Sequence, residues 1–253
     1  MKKRRAVVTG AGTGIGKGIA VLLGRAGYTV VVHYNNSKEG AYATCDIIER
    51  EGGKAYAVQA DLSSVEGVNR LFDTAMQYMG GLELYVNNSG ITQKSKIEET
   101  TEEFFDRMIQ IDLKSAYFCI QRAAKEMIHS KIKGNMVIIA SNNAYMQRPE
   151  LSVYGSIKAA LIKLGKHAAV EFARFGIRVN MIAPGWTMTP RTLKNDMEKT
   201  YSTIPLKRWC TPEEIGQMVL FYDSDAAASI TGNCIVADGG SILMNDVADK
   251  YGL

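Results

Sequence analysis

Apolar positions along the chain fall into short unbroken runs, separated by longer segments in which they recur every three or four residues. The runs at 6–9, 29–34, 55–60, 82–86, 135–140, 177–182 and 233–237 predict strands. The periodic segments 16–26, 38–51, 65–78, 102–130, 153–174 and 212–224 predict helices, the fourth with a break or bend. Gly52-Gly53, Gly80-Gly81 and Gly176 supply helix stops, and Pro212 a start. Strands that are apolar on consecutive positions suit a parallel sheet covered on both faces. The strand–helix alternation predicts a single α/β domain over 1–253, doubly wound with right-handed crossovers. The segment 186–210 is polar, carries charges and has no strand signal. An excursion of that length in a compact domain suggests a substrate lid.

Composition narrows the function classes. Of 253 residues, 46 % are apolar, enough for a sizeable core, and the net charge of +4 gives no reason to invoke nucleic acid. Three histidines leave little room for a His-built metal site, and none is expected. No segment approaches the ~20 apolar residues of a membrane span. The basic start Met1-Lys2-Lys3-Arg4-Arg5 runs directly into the first strand and reads as a solvated tail, not a signal peptide. Cys45, Cys119, Cys210 and Cys234 are scattered without a C-x-x-C pair, as expected for reduced thiols in a cytoplasmic protein.

The chemistry-bearing clusters gather at one edge. Thr9-Gly10-Ala11-Gly12-Thr13-Gly14-Ile15-Gly16 joins the first strand to the first helix. Glycines there let backbone approach a pyrophosphate, and the helix N-terminus offers free N–H groups. Asp61-Leu62, Asn87-Asn88-Ser89-Gly90, Ser141 and Pro184-Gly185 follow the third to sixth strands. Ligands of open parallel sheets bind beyond the carboxyl ends of the strands, where all of these fall.

Tyr154 and Lys158 lie four apart in a helical pattern and share a face. A free tyrosine titrates near pH 10, so an ammonium that stabilises the phenolate is needed for proton transfer near neutrality. A tyrosine so placed can take the proton of an alcohol or give one to a ketone. Ser141, thirteen residues earlier at a strand end, can hydrogen-bond the substrate oxygen.

Thr9-Gly10-x-x-x-Gly14-Ile15-Gly16, Asn87-Asn88-Ser89-Gly90, Ser141, Tyr154-x-x-x-Lys158, Pro184-Gly185 with Thr189, and Asp238-Gly239-Gly240 occur in this order. Together, over essentially the whole chain, they resemble the classical branch of the short-chain dehydrogenase/reductase family. The resemblance implies a Rossmann fold in which the seven strands named above form one parallel sheet. It implies an NAD(P)-dependent oxidoreductase with Ser141, Tyr154 and Lys158 as catalytic residues. Gly10, Thr13, Gly14, Ile15, Gly16, Tyr34, Asn35, Asn36, Ser37, Asp61, Leu62, Asn87, Ser89, Gly90, Pro184, Gly185, Thr187 and Thr189 are expected to bind the cofactor, with Tyr154 and Lys158. Asp61 and Leu62 would meet adenine, and Thr189 the carboxamide. A homotetramer built through the helices around 104–130 and 153–174 is also implied.

The sequence departs from the family at Ile111-Asp112-Leu113, where an Asn that helps hold a water beside the active-site Lys is usual. Asp112 lacks the amide donor, and its charge can pair with Lys158; it is taken as the fourth catalytic member. Ala140 replaces the first of two usual serines, and Ser89 a usual Ala.

No acid stands at the end of the second strand in His33-Tyr34-Asn35-Asn36-Ser37, which permits NADP, although no Arg appears and NAD stays open. Ser141, Asn143, Gln147, Tyr154 and Trp186 are expected to meet substrate, with Asn142 adding to a polar wall. The look is nearest the glucose 1-dehydrogenase-like and 3-oxoacyl-carrier-protein reductase groups. A sugar or polyol substrate is the expectation, with oxoacyl thioesters and hydroxysteroids as alternatives. A non-catalytic nucleotide-binding sensor is the reading from another class.

Overall fold

The computed structural model describes residues 4–194 and 200–244. Seven parallel strands, β1 (Arg5–Val8), β2 (Thr29–Tyr34), β3 (Lys54–Gln59), β4 (Leu84–Asn87), β5 (Asn135–Ile139), β6 (Arg178–Pro184) and β7 (Cys234–Ala237), form one sheet in the order β3-β2-β1-β4-β5-β6-β7. The central strands are buried along their lengths, Val7, Val31, Tyr85 and Ile138 packing to one face and Val8, Val32, Val86 and Val137 to the other. This explains the unalternating sequence: both sides of the sheet are covered. It is the single-domain Rossmann-type fold expected.

Among the described residues the α-helices are α1 (Gly14–Arg25), α2 (Lys38–Arg50), α3 (Val65–Met79), α4 (Glu102–Met108), α5 (Ser115–His129), α6 (Ser152–Ala173) and α7 (Pro212–Asp223). Their ends follow local chemistry. Ser64 caps α3 by accepting from the Gly67 N–H, and Gly80 ends it with φ +66°. Thr211 and Glu214 form a capping box behind Pro212. The break expected within 102–130 is a π-helical turn, Ile109–Lys114, which links α4 to α5 without interrupting the rod.

Two expectations are corrected. Arg5 is not part of a solvated tail: it opens β1 and forms a bidentate ion pair with Glu83, closest approach 2.6 Å. That pairing and the Gly80 cap occupy the chain ahead of β4, so the ladder to β1 starts at Leu84 rather than at Leu82. Arg4 lies over the Tyr28 ring at 5.5 Å, and residues 1–3 lie outside the described residues.

The segment 186–210 is anchored at its base. The Met188 N–H donates to the Cys210 carbonyl and the Cys210 N–H to the Trp186 carbonyl, both at 2.9 Å. Trp209 is fully buried and stacks on Trp186 at 5.1 Å. Residues 195–199 of the expected lid lie outside the described residues.

Candidate active site

A cleft of about 830 Å³ opens beyond the carboxyl ends of the strands, within the range of small-molecule and cofactor pockets. Its floor is the β1–α1 turn. Gly10 has φ +64°, a conformation that a side chain disfavours. At Gly16 a Cβ would stand 2.3 Å from the Gly10 carbonyl oxygen, so only glycine lets α1 begin this close to the strand. The Asn88 amide donates to the carbonyls of Thr9 (2.9 Å) and Gly10 (3.2 Å), while the Thr9 hydroxyl accepts from the N–H groups of Asn88 and Ser89. A bare-backbone cradle at a helix N-terminus fits a dinucleotide pyrophosphate.

Most expected cofactor residues line this cleft: Gly10, Thr13, Gly14 and Ile15 in the turn, Asn35, Asn36 and Ser37 after β2, and Asp61 and Leu62 after β3. Ser89, Gly90, Tyr154, Lys158 and Thr189 line it too. Asp61 is held by the Ser63 N–H at 3.0 Å, which keeps its carboxyl below the usual range. Other expected residues stand behind the wall. Gly16 packs under Gly10, and Tyr34 is buried edge-on to Tyr42. Asn87 is buried and accepts from the Tyr85 hydroxyl at 2.9 Å. Pro184 ends β6, Gly185 packs on Asp238, and the buried Thr187 hydroxyl donates to the Gly185 carbonyl.

Tyr154 and Lys158 come together as the four-residue spacing requires. The Lys158 Nζ lies 5.3 Å from the centroid of the Tyr154 ring, and the lysine is only 5 % exposed. Asp112 sits in the π turn with no exposed surface. Its Oδ1 accepts from the Ile91 N–H at 2.7 Å, and its Oδ2, with no hydrogen-bonded donor, lies 3.4 Å from the Lys158 Nζ. Burial raises the Asp112 carboxyl above its usual range, the Lys158 ammonium and the Ile91 N–H pulling the other way.

Ser141 follows β5 and is buried, its Oγ accepting from the Asn143 N–H at 3.2 Å and the Asn143 amide at 3.4 Å. Asn143 is half-buried, Gln147 exposed, and Trp186 half-buried beneath the Arg148 guanidinium, whose carbon is 5.1 Å from the ring centroid. One expected substrate contact is corrected. Asn142 turns inward, 2 % exposed, and donates to the Asp238 Oδ2 at 3.3 Å. Asp238 also accepts from the N–H groups of Gly240 and Ile242, so Asn142 belongs to a buried brace rather than to a substrate wall.

The cleft contains residues that sequence reasoning passed over. Arg107 and Ile111 lie four apart on one predicted helix, a spacing that marked them as neighbours. Pro190 and Arg191 follow Thr189. His33 lines the floor beside Asn88 of the Asn87-Asn88-Ser89-Gly90 cluster, and nothing local in the sequence announces its cross-strand contacts.

The family model described as Enoyl-(Acyl carrier protein) reductase matches residues 10–241. Glucose 1-dehydrogenase 2 of Bacillus subtilis is 35 % identical over 95 % of this chain and 95 % of its own length. 3beta-hydroxysteroid dehydrogenase 1 of Eggerthella lenta is 36 % identical over 96 % of this chain and 95 % of its own. The crystal structure of acetoin dehydrogenase from Enterobacter cloacae superposes with a TM-score of 0.90 at 31 % identity, covering 97 % of this chain and 98 % of that one. With a phosphate cradle, a Tyr–Lys pair on one wall and relatives matched along nearly their whole lengths, the chain belongs to the short-chain dehydrogenase/reductase family of NAD(P)-dependent oxidoreductases.

Proposed function

We propose that the chain interconverts an alcohol and a carbonyl on a small polyhydroxylated substrate, a sugar or polyol, using Ser141, Tyr154 and Lys158. The observation that carries this reading is the Lys158 ammonium held 5.3 Å from the Tyr154 ring in the wall of a cleft floored by glycine-rich backbone. A bound nicotinamide supplies or accepts the hydride. Tyr154 as phenolate takes the alcohol proton in oxidation, and as phenol returns it to the carbonyl oxygen in reduction. Lys158 favours the phenolate by its charge and is available to ribose hydroxyls. Ser141 already accepts two hydrogen bonds from Asn143, which leaves its own proton for the substrate oxygen. Asp112 acts on the lysine from behind.

For the substrate, the half-buried Asn143 and the exposed Gln147 offer polar groups after Ser141, and the relatives named for glucose and acetoin favour a small oxygen-rich molecule. A 3-oxoacyl thioester on an acidic carrier is the second reading, favoured by Arg107 and Arg191 exposed at the cleft. NADP is the proposed cofactor, with NAD as its competitor. Thr13, Asn35, Asn36 and Ser37 line the adenosine end, with no acid at the end of β2 to repel a 2′-phosphate, and α2 starts there with its positive pole. The proposed assembly is a cytoplasmic homotetramer, the described part of 186–210 forming the lid. Tyr117 (50 % exposed) and Val170 (79 % exposed) give α5 and α6 apolar surface for contacts between copies.

One assay tests the substrate and the cofactor. NAD(P)H absorbance is followed with sugars, polyols, hydroxysteroids and oxoacyl thioesters, each with both nucleotides. Turnover of a sugar or polyol with NADP is the expected result. Turnover confined to thioesters or steroids overturns the substrate reading, and a clear preference for NAD overturns the cofactor reading.

A further inference from the structure

The last residue but one of β2 is a buried histidine that hydride transfer leaves unused. His33 is 2 % exposed and touches two other strand ends. Its Nδ1 accepts from the Gly10 N–H at 3.1 Å, and its Nε2 lies 3.1 Å from the Ala60 carbonyl oxygen. A carbonyl can only accept, so Nε2 carries the proton and Nδ1 is bare. The partners on either side therefore select one neutral form of the ring. Burial supports it by holding the imidazole down at about 4. The His33 carbonyl adds a third stitch, accepting from the Ala11 N–H at 2.9 Å. Gly10 is thus gripped at its N–H by His33 and at its carbonyl by Asn88.

We propose that His33 is a positioning residue for cofactor binding: its ring fixes the Gly10 peptide and ties the glycine turn to the Ala60 strand end, so that the phosphate cradle and Asp61-Leu62 are aligned before the nucleotide arrives. The gain is preorganisation, since a turn already ordered loses less freedom when the nucleotide docks. This rests on reading the cleft as a nicotinamide dinucleotide site.

The test compares the full chain with His33→Leu and His33→Asn. An Asn side chain can place its oxygen where Nδ1 stands and accept from the Gly10 N–H, although it is too short to reach the Ala60 carbonyl. NADPH and NADH dissociation constants are measured by fluorescence titration, and kcat and cofactor KM alongside. In His33→Leu, both constants are expected to rise about tenfold, with the loss in KM rather than kcat, as for one forfeited buried hydrogen bond. His33→Asn is expected to recover most of that affinity. Wild-type affinity in a folded His33→Leu, or an Asn variant as weak as Leu, overturns the proposal. Should His33→Leu not fold, the nitrogen NMR spectrum of wild-type His33 decides: a protonated Nδ1 at neutral pH overturns it, and Nε2–H supports it. Failure of the wild-type chain to bind either nucleotide overturns the cofactor-site reading instead.

Discussion

Asp112 Oδ2 lies 3.4 Å from the Nζ of Lys158, and neither side chain is more than marginally exposed. The acid therefore sets its charge directly against the ammonium that is proposed to activate Tyr154. When ionised, it offsets part of the pull that lysine exerts on the phenolate.

Asp112→Asn removes that offset while keeping an oxygen for the Ile91 N–H. Turnover is expected to be retained or raised, because the lysine then keeps its full charge for the tyrosine. A kcat–pH profile of both forms checks this. Complete loss of turnover in a variant with a native circular dichroism spectrum contradicts the placement.

Tyr154→Phe separates enzyme from nucleotide-binding protein. Turnover should fall at least about a hundredfold, the usual scale of losing a positioned proton donor. Cofactor affinity, read by fluorescence titration, should be retained, since only the hydroxyl of Tyr154 is lost while Lys158 and the glycine turn stay in the cleft.

Gly90 is forced by the same acid. A Cβ there would stand 2.8 Å from the Asp112 Oδ2 and 3.2 Å from its Cγ. Gly90→Ala is expected to cost about 1–3 kcal/mol, the usual scale of overpacking. Denaturant titration measures it, and pairing it with Asp112→Ala should make the Gly90→Ala step cheaper, because the obstructing carboxylate is gone.

His33 makes the fold acid-sensitive in a defined window. Its folded value of about 4 lies below the unfolded value of about 6.5, so the unfolded chain binds the extra proton first. Stability is complete above pH 6.5 and falls as the pH drops toward 4, by about 3 kcal/mol for this group alone. The acidic side chain near this strand end, Asp61, is itself held below its usual range by Ser63 and contributes mainly at lower pH. Denaturant titrations across the window should show a shallower slope for His33→Asn than for wild type.

Much of this was legible in the chain. Unbroken apolar runs located all seven strands, because a sheet covered on both faces leaves its pattern in consecutive residues. The Tyr154–Lys158 pair was legible because a helix turns four-residue spacing into proximity. What escaped depends on contacts across strands. Asn142 reads as a polar wall until Asp238, from beyond β7, is seen to claim its amide. Arg5 reads as part of a tail until Glu83, ahead of β4, is placed beside it. His33 reads as one more residue of a strand, since its partners Gly10 and Ala60 follow the ends of β1 and β3.

The π turn at Ile109–Lys114 has one residue more than a regular helical turn would hold. Each residue of an α-helix advances the side chains by about 100°, so the surplus residue sets the angular phase between α4 and α5. The acid's aim at Lys158 is thus encoded in a count rather than in an identity. Shortening this stretch by one residue would rotate the acid away from the ammonium while every side chain named in the mechanism remained.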